Sequence, residues 1–195
     1  MMQDVPRGRV VVVSGPSGAG KTTLVERMFR ECPLPLVRSI SVTTRPPRGD
    51  EADGVDYHFV SREEFDALRE QGRFLESFEV FGQGYWYGTL WSEVRAVIEA
   101  GKWVVLNIDV HGAAAVTERF HDAITIFVRP GSIEELRRRL ELRGTDTPEE
   151  IEKRLQRAQY ELGLAPMYCH HVVNDDLDRA VRDICAILTE QKEND

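Results

Sequence analysis

Short apolar runs alternate with longer amphipathic segments along most of the chain. Four runs of four to six residues predict buried strands, at Arg9–Ser14, Trp103–Ile108, Ala123–Val128 and His171–Asn174. Segments with a helical period predict helices over Lys21–Arg30, Leu90–Ala100, Ser132–Arg143, Pro148–Leu164 and Leu177–Gln191. Buried strands that alternate with amphipathic helices are typical of an α/β fold with a parallel sheet flanked by helices.

Residues 36–89 have a different pattern, in which short strands surround one helix. The strands are predicted at Ser39–Thr44, Tyr57–Val60, Gly72–Phe81 and Tyr85–Thr89, and the helix at Ser61–Gln71. Proline and glycine punctuate this region in the turn Arg45-Pro-Pro-Arg-Gly49. The pattern predicts a small β-rich lobe, inserted between the first and second βα units of the parallel core.

Composition excludes several classes of protein. A chain of 195 residues with 42% hydrophobic and 30% charged residues can build one compact domain. Its net charge of −8 argues against duplex nucleic acid or an anionic membrane as the main partner. The apolar runs are too short to cross a bilayer, the first nine residues lack a signal-peptide pattern, and three scattered cysteines form no disulfide framework. We therefore expect a soluble, cytoplasmic protein.

The strongest chemical signal is a glycine-rich turn between a buried strand and a helix. Gly15-Pro-Ser-Gly-Ala-Gly-Lys21-Thr22 matches the phosphate-loop pattern G-x-x-x-x-G-K-[ST]. Its glycines allow consecutive backbone N–H groups to converge on a polyphosphate at the positive end of the helix. Lys21 is expected to reach the β- and γ-phosphates, and the Thr22 hydroxyl to ligate Mg²⁺. The alternative, a glycine-rich turn beside a surface lysine, leaves the ordered succession of strand, loop and helix unexplained.

Two consecutive predicted helices are rich in arginine and are joined by the turn Arg143-Gly-Thr-Asp-Thr147. Arg139 and Arg143 are four residues apart and therefore share one helix face, and Arg154 lies on the next helix. One interpretation is a solvated face whose arginines pair with neighbouring glutamates. The phosphate loop favours the other interpretation, a lid that closes over phosphates.

From Arg9 to about Leu188 the chain resembles the guanylate kinases, P-loop enzymes that phosphorylate GMP from ATP. The resemblance is carried by specific motifs: Ser14-Gly-Pro-Ser-Gly-Ala-Gly-Lys21, Ser41-Val-Thr-Thr-Arg45-Pro-Pro-Arg48, Gly54-Val-Asp-Tyr57, Phe74-Leu-Glu76, Tyr87-Gly-Thr89, Arg143-Gly-Thr-Asp-Thr147 and Val173-Asn-Asp-Asp176. It implies a P-loop NTPase fold with an acceptor-binding lobe and a helical lid. The implied single domain covers 1–195, with a core at 1–37, 90–130 and 155–195, a GMP-binding lobe at 38–89 and a lid at 131–154.

The resemblance also implies roles for individual residues. Those expected to bind ATP are Gly15, Pro16, Ser17, Gly18, Ala19, Gly20, Lys21, Thr22 and Thr23. Those expected to grip the GMP phosphate are Arg45, Arg48, Tyr57 and Tyr87, and those expected to contact the base are Ser41, Glu76, Thr89 and Asp109. Guanine presents its N1–H and N2 amine as adjacent donors, which a carboxylate accepts and which adenine does not offer.

The cations implied for catalysis are Lys21, Arg139, Arg143 and Arg154. No general base is required, because the acceptor is already an anionic phosphate oxygen and the enzyme has only to position and stabilise charge. Mg²⁺ is the implied cofactor and ATP the implied phosphoryl donor. The metal would be held through the nucleotide and Thr22, with Asn107 able to contribute through a water.

The chain departs from the family pattern at two places. The family usually carries Leu-Asp-Ile-Asp-x-Gln-Gly where this chain has Leu106-Asn-Ile-Asp-Val-His-Gly112, so Asn107 is neutral and His111 replaces a glutamine. The loss of one negative charge near Mg²⁺ predicts weakened activity. In addition, the turn Phe81–Gly88 is two residues longer than usual, which leaves Tyr85 as an alternative to Tyr87.

The expected function is therefore ATP-dependent phosphorylation of GMP, and of dGMP, in purine nucleotide metabolism and GMP recycling. Neither nucleic acid nor a membrane is an expected partner, and the oligomeric state is left open. One alternative is a nucleotide-binding protein that has lost turnover, as Asn107 would suggest. Another is a kinase for a different acceptor such as a phosphorylated sugar, but such an acceptor needs no guanine-shaped set of hydrogen-bond acceptors.

The substitution Asn107→Asp tests the first departure. A restored carboxylate should raise turnover at low Mg²⁺ concentration, because it adds one negative charge facing the metal. The measurement is the initial rate as a function of Mg²⁺ for both forms. An unchanged or lower rate in the variant would rule out this explanation.

Overall fold

The computed structural model describes residues 8–80, 84–144 and 146–193, apart from the side chains of Val80 and Arg143. The strands are β1 (Arg9–Ser14), β2 (Leu36–Arg38), β3 (Val42–Thr43), β4 (His58–Phe59), β5 (Phe74–Val80), β6 (Tyr85–Leu90), β7 (Trp103–Asn107), β8 (Ile124–Arg129) and β9 (His170–Val173). The helices are α1 (Lys21–Glu31), α2 (Arg62–Glu70), α3 (Trp91–Glu99), α4 (Val110–Thr117), α5 (Ile133–Arg143), α6 (Pro148–Gly163) and α7 (Leu177–Glu193), with a 3₁₀ turn at Ala165–Met167.

Five strands form a parallel sheet in the order β2-β7-β1-β8-β9. In β1 the register pairs Val11 with Ile124 of β8, and β8 pairs Phe127 with His171 of β9. The interior positions of β1 and β8 are almost completely buried, as the continuous apolar runs predicted. The predicted fold class, a parallel sheet whose strands are connected by helices, is confirmed.

Four strands form a second sheet in the order β4-β3-β6-β5. Strand β6 is antiparallel to both β3 and β5, whereas β3 and β4 are parallel. Helix α2 begins with a capping box formed by Ser61 and Glu64, and it contributes Phe65 to a core with Val42 and Phe74. The rings of Phe65 and Phe74 are stacked with their centroids 4.5 Å apart. This sheet and helix form the β-rich segment that the sequence pattern predicted.

The described residues divide into two compact units. Unit 1 comprises those within 8–10, 36–106 and 111–123, and it contains the whole four-stranded sheet. Unit 2 comprises those within 11–35, 107–110 and 124–193, and it contains β8, β9, most of β1 and the helices α1, α5, α6 and α7.

Most differences between the predicted and observed elements are shifts of one or two residues at an end. Strand β1 has the predicted bounds, whereas β9 begins at His170, one residue before the prediction. Two elements were missed. Strand β2 is only three residues long and α4, with the sequence Val-His-Gly-Ala-Ala-Ala-Val-Thr, lacks an amphipathic period. The predicted longer turn includes 81–83, which lie outside the described residues.

Within the described ranges, the structure contains no helix with the length and apolar character needed to cross a bilayer.

Helices α5 and α6 provide a matched test of packing. Leu140 is fully buried in a cluster with Leu136 and Leu155, whereas Leu142 on the same helix is 73% exposed. Leu140→Ala should lower the free energy of unfolding by about 2–5 kcal/mol because it leaves a cavity, and Leu142→Ala by less than about 0.5 kcal/mol. Urea titrations measure both values. Equal losses for the two variants would contradict the observed packing of α5.

Candidate functional site

The loop between β1 and α1 in unit 2 approaches its neighbours so closely that two of its glycines leave no room for a side chain. Gly15 has φ of 140°, and a Cβ there would lie 2.0 Å from the carbonyl oxygen of Val128. Gly20 has φ of 82°, and a Cβ there would lie 2.4 Å from Nδ2 of Asn174. Both positions therefore require glycine for its positive φ and for the space. Helix α1 starts directly after this loop, with no acidic residue in its first turn.

Lys21, the first residue of α1, folds back over the loop. Its Nζ donates hydrogen bonds to the carbonyl oxygens of Gly15, at 2.6 Å, and Pro16, at 3.0 Å. Burial lowers the pKa of Lys21 to about 8, although the nearby carboxylates of Glu161 and Asp109 act in the opposite direction. The site thus contains an amine whose pKa is lowered by burial, held against the backbone of the loop.

A cluster of charged groups from α6 lies beside Lys21. Arg157 Nε donates to Oε1 of Glu161 at 2.7 Å, and Arg157 Nη2 lies 3.6 Å from Oδ2 of Asp109. Glu161 is 3% exposed. Burial also raises the pKa of Tyr168 to about 12, with contributions from Asp109 and Glu161. A buried carboxylate requires a partner, and Arg157 provides it for Glu161.

Arg139 of α5 contacts the backbone of the loop and of the residue that follows β9. Its Nη2 donates to the carbonyl oxygen of Asn174 at 2.7 Å, and its Nη1 to that of Ala19 at 3.5 Å. Asn174 Nδ2 donates to the same Ala19 oxygen at 2.7 Å. Glu135, four residues before Arg139, accepts from its Nε at 2.8 Å. Arg139 therefore holds the loop through protein groups in this conformation.

The other predicted cations of the lid have different surroundings. Arg154 Nη2 lies 2.9 Å from Oδ1 of Asp146, whose side chain is 8% exposed. The side chain of Arg143 lies outside the described part of the structure. Thr22 and Thr23 are exposed on the first turn of α1, and Arg48 in unit 1 is exposed as well.

Arg45 is the centre of a polar cluster in unit 1, and it is only 4% exposed. Its Nε donates to the hydroxyl of Tyr87 and its Nη2 to Oε1 of Glu51, both at 2.9 Å. Its guanidinium carbon lies 5.3 Å from the ring centroid of Tyr57, within the range of a cation–π contact. Burial raises the pKa of Tyr57, so its hydroxyl stays protonated and can act as a donor.

Glu76 and Thr89 face each other across β5 and β6. Thr89 Oγ1 donates to Oε1 of Glu76 at 2.6 Å, and both residues are buried. A Cβ at Gly112 would lie 2.9 Å from Oε2 of Glu76, so the absence of a side chain there leaves room for the carboxylate. This corner of unit 1 therefore holds a buried carboxylate beside a hydroxyl.

Tyr85 and Tyr87, the two tyrosines that the sequence left as alternatives, have different partners. Tyr87 accepts from Arg45, and its ring centroid lies 5.8 Å from that of Tyr57. Tyr85, the first residue of β6, pairs with Val80. Tyr87 is thus the tyrosine that belongs to the Arg45 cluster.

Comparisons with known proteins agree with the motifs of both units. The sequence profile described as guanylate kinase matches residues 7–191. The chain belongs to the guanylate kinase family. The resemblance in the sequence is thereby confirmed.

Similar guanylate kinases are known from several bacteria. The one from Rhodopirellula baltica is 47% identical over 186 residues, which cover 95% of this chain and 89% of the relative. The one from Alkalilimnicola ehrlichii is 49% identical over 182 residues, which cover 93% and 88% of the two chains. The crystal structure of guanylate kinase from Anaplasma phagocytophilum is 32% identical and superposes with a TM-score of 0.79, covering 95% of this chain and 87% of that one.

The site residues predicted from the guanylate kinase motifs fall into both units. In unit 1, Arg45, Tyr57 and Tyr87 form one cluster and Glu76 and Thr89 another, and Ser41 directly precedes β3. Lys21, Arg139, Arg154 and Asp109 belong to unit 2. Asn107, the neutral residue that departs from the family, is the last residue of β7 and is half-buried.

Several residues of these clusters were not predicted as site residues, among them Arg157, Glu161 and Glu51. The spacing of Arg157 and Glu161, four residues apart on one helix, was a usable signal for their ion pair. Glu51 lies in a turn and carried no such signal, because its contact with Arg45 depends on how residues 46–50 bend.

The lowered pKa of Lys21 gives a direct test. With ¹³C-labelled lysine, the ε-carbon signal that disappears in Lys21→Arg should titrate with a midpoint near pH 8. Tripolyphosphate should move this midpoint upward, because a nearby anion favours the charged amine. A midpoint near the usual value of about 10.4, unchanged by the anion, would contradict the burial of Lys21.

Proposed function

We propose that this chain transfers the γ-phosphoryl group of ATP to GMP, and also to dGMP, and releases ADP. Support comes from its guanylate kinase relatives, which are 47% and 49% identical over almost the whole chain. The buried Glu76–Thr89 pair supports the choice of acceptor base, because a carboxylate accepts from the adjacent N1–H and N2 amine of guanine. GMP recycling in purine nucleotide metabolism is the proposed role, in the cytoplasm, where free thiols such as Cys32 remain reduced.

The donor side is proposed to be the loop of unit 2. Backbone N–H groups of residues 15 and 17–20 and of the first turn of α1 bind the phosphates of ATP, with Pro16 completing the loop and the side chains of Thr22 and Thr23 beside it. Lys21 exchanges its two carbonyl contacts for phosphate oxygens, an exchange that its charged form favours. Arg139, Arg143 and Arg154 supply the further positive charge that phosphoryl transfer requires.

The acceptor side is proposed to be the Arg45 cluster together with the Glu76–Thr89 pair. Arg45, Arg48, Tyr57 and Tyr87 hold the GMP phosphate, since guanidinium and hydroxyl groups both donate to an oxyanion. Ser41, Glu76, Thr89 and Asp109 contact the base. The acceptor oxygen is anionic already, so these residues orient it and no residue has to remove a proton.

Mg²⁺ is the proposed cofactor, held mainly by the nucleotide. Among the described residues no group of three or more His, Cys, Asp or Glu side chains could hold a metal ion, whereas the exposed Thr22 hydroxyl at the start of α1 is an oxygen ligand of the kind that Mg²⁺ prefers. Mg²⁺ neutralises charge on the β- and γ-phosphates when it is bound. Asn107 is proposed to accept a hydrogen bond from a water of that ion.

We also propose that the chain is organised as one guanylate kinase domain. Its core comprises 1–37, 90–130 and 155–195, its GMP-binding lobe 38–89 and its lid 131–154. The four-stranded sheet with α2, which lies within 38–90, supports the boundaries of the lobe.

The decisive measurement is ADP release from ATP and Mg²⁺ with GMP, dGMP, AMP, CMP and UMP as separate acceptors. Release is expected with GMP and dGMP and is expected to be at least about a hundredfold slower with AMP, because adenine does not offer the adjacent N1–H and amine donors that guanine presents to the carboxylate of Glu76. Lys21→Ala should abolish the reaction, whereas Lys102→Ala, at an exposed lysine, should retain it.

The same measurement separates the second candidate function. Asn107, which removes a charge facing Mg²⁺, favours a protein that binds nucleotides without turnover. Binding of ATP and GMP without ADP release from any acceptor would support that function instead. Equal release with GMP and AMP would contradict the proposed role of Glu76.

A further inference from the structure

The backbone between β2 and β4 changes hydrogen-bond partners at Ile40. The N–H of Ser39 donates to the carbonyl oxygen of Val105 in β7, at 3.1 Å. Two residues later the carbonyl oxygen of Ser41 accepts from the N–H of His58 in β4, at 2.9 Å. The N–H of Ile40 lies between these two ladders, and a half-buried backbone donor in such a position needs an acceptor from elsewhere.

Glu93, in the first turn of α3, provides that acceptor. Its Oε2 accepts from the N–H of Ile40 at 3.1 Å, and its Oε1 lies 2.7 Å from Nε2 of His58. The Glu93 and His58 side chains are 29% and 35% exposed, so the contacts are partly shielded from water. One carboxylate therefore joins α3, the chain before β3 and the first residue of β4.

The two groups that Glu93 holds are each next to a proposed acceptor-site residue. Ile40 precedes Ser41, which is proposed to contact the guanine base, and His58 follows Tyr57, which is proposed to hold the GMP phosphate. Building on that proposed function, we propose that Glu93 is a positioning residue of the acceptor site, which holds Ser41 and Tyr57 at the separation that GMP requires. Glu93 acts on these two residues through their chain neighbours.

The chemistry of the contact favours a carboxylate at this position. A hydrogen bond to an ionised group is about twice as strong as one between neutral groups, and two oxygens allow two partners at once. Productive binding tolerates displacements of only about 0.5 Å, so a loosened Ile40 or His58 would displace its neighbour by enough to matter.

A purely structural role is the competing explanation. An acidic residue in the first turn also stabilises a helix through the dipole, and Glu93 is the acidic residue in the first turn of α3. Glu93→Gln separates the two roles. Glutamine loses the charge but keeps an oxygen for Ile40 and a polar group for His58, so a positioning role survives this change and a dipole role does not.

The experiment compares steady-state kinetics of Glu93→Ala, Glu93→Gln and a matched control, Glu99→Ala, at an exposed carboxylate at the end of the same helix. Glu93→Ala should raise the KM for GMP roughly tenfold while the KM for ATP changes less than about twofold. Glu93→Gln should restore part of the GMP affinity, because its neutral amide makes weaker hydrogen bonds than the carboxylate, and Glu99→Ala should behave as wild type.

The variant His58→Ala tests the same contact from its other side. It should raise the KM for GMP as well, and combining it with Glu93→Ala should add little, because both substitutions remove the same contact. The proposal is overturned if Glu93→Ala raises the KM for GMP and the KM for ATP equally, or if it leaves the KM for GMP unchanged. It is also overturned if the KM for GMP in Glu93→Gln is as high as in Glu93→Ala.

Calorimetric titration with GMP keeps this test distinct from the proposed function. If the wild-type chain releases no ADP but binds GMP, the phosphotransferase proposal fails, while a weaker GMP Kd in Glu93→Ala still supports the positioning role. If the Kd for GMP is the same in Glu93→Ala as in the wild type, the positioning role of Glu93 is rejected. If the wild-type chain does not bind GMP at all, the role of Glu93 is rejected together with the function on which it rests.

Discussion

The loop between β1 and α1 depends on close approaches at two glycines, one to a backbone carbonyl and one to a side-chain amide. Gly15 lies against the carbonyl oxygen of Val128 and Gly20 against the amide of Asn174, at distances that exclude any Cβ. This packing fixes the loop beside the ends of β8 and β9, and the ammonium group of Lys21 binds two of its carbonyls. Arg139 and Asn174 share the carbonyl oxygen of Ala19. The close approach of the two glycines therefore holds the loop where Lys21, Arg139 and Asn174 contact its carbonyl oxygens.

Three of the arginines proposed for phosphate binding already have oxygen partners within the protein. Arg45 pairs with Glu51, Arg139 with Glu135 and Arg154 with Asp146. Such pairs hold the long side chains in place, so binding of an anion exchanges partners on groups that are already ordered. The chain is acidic overall, with a net charge of −8, and each of these three arginines has a carboxylate within 2.9 Å.

Carboxylates have three separate uses in unit 1. Glu76 is buried beside Thr89 and is suited to a base with adjacent donors, whereas Glu51 anchors the Arg45 guanidinium. Glu93 joins the Ile40 backbone to His58 at the place where the chain leaves one sheet for the other. Their roles differ because their partners differ, namely a hydroxyl, a guanidinium and a backbone amide. The same residue type therefore orients a cation at Glu51 and joins two chain segments at Glu93, and it is proposed to select the base at Glu76.

Local signals in the sequence were sufficient for the fold class, the phosphate loop and most elements. Continuous apolar runs identified β1 and β8, and the helical period identified α1 and α7, because these features depend on neighbours within a few positions. The family motifs pointed to Arg45 and Glu76. Only the tertiary structure decided that Tyr87 contacts Arg45, that Glu161 is buried and that Glu93 reaches Ile40. Contacts such as those of Tyr87 and Glu93 join residues more than 40 positions apart, and their partners are set by sheet register and helix packing, which no local pattern encodes.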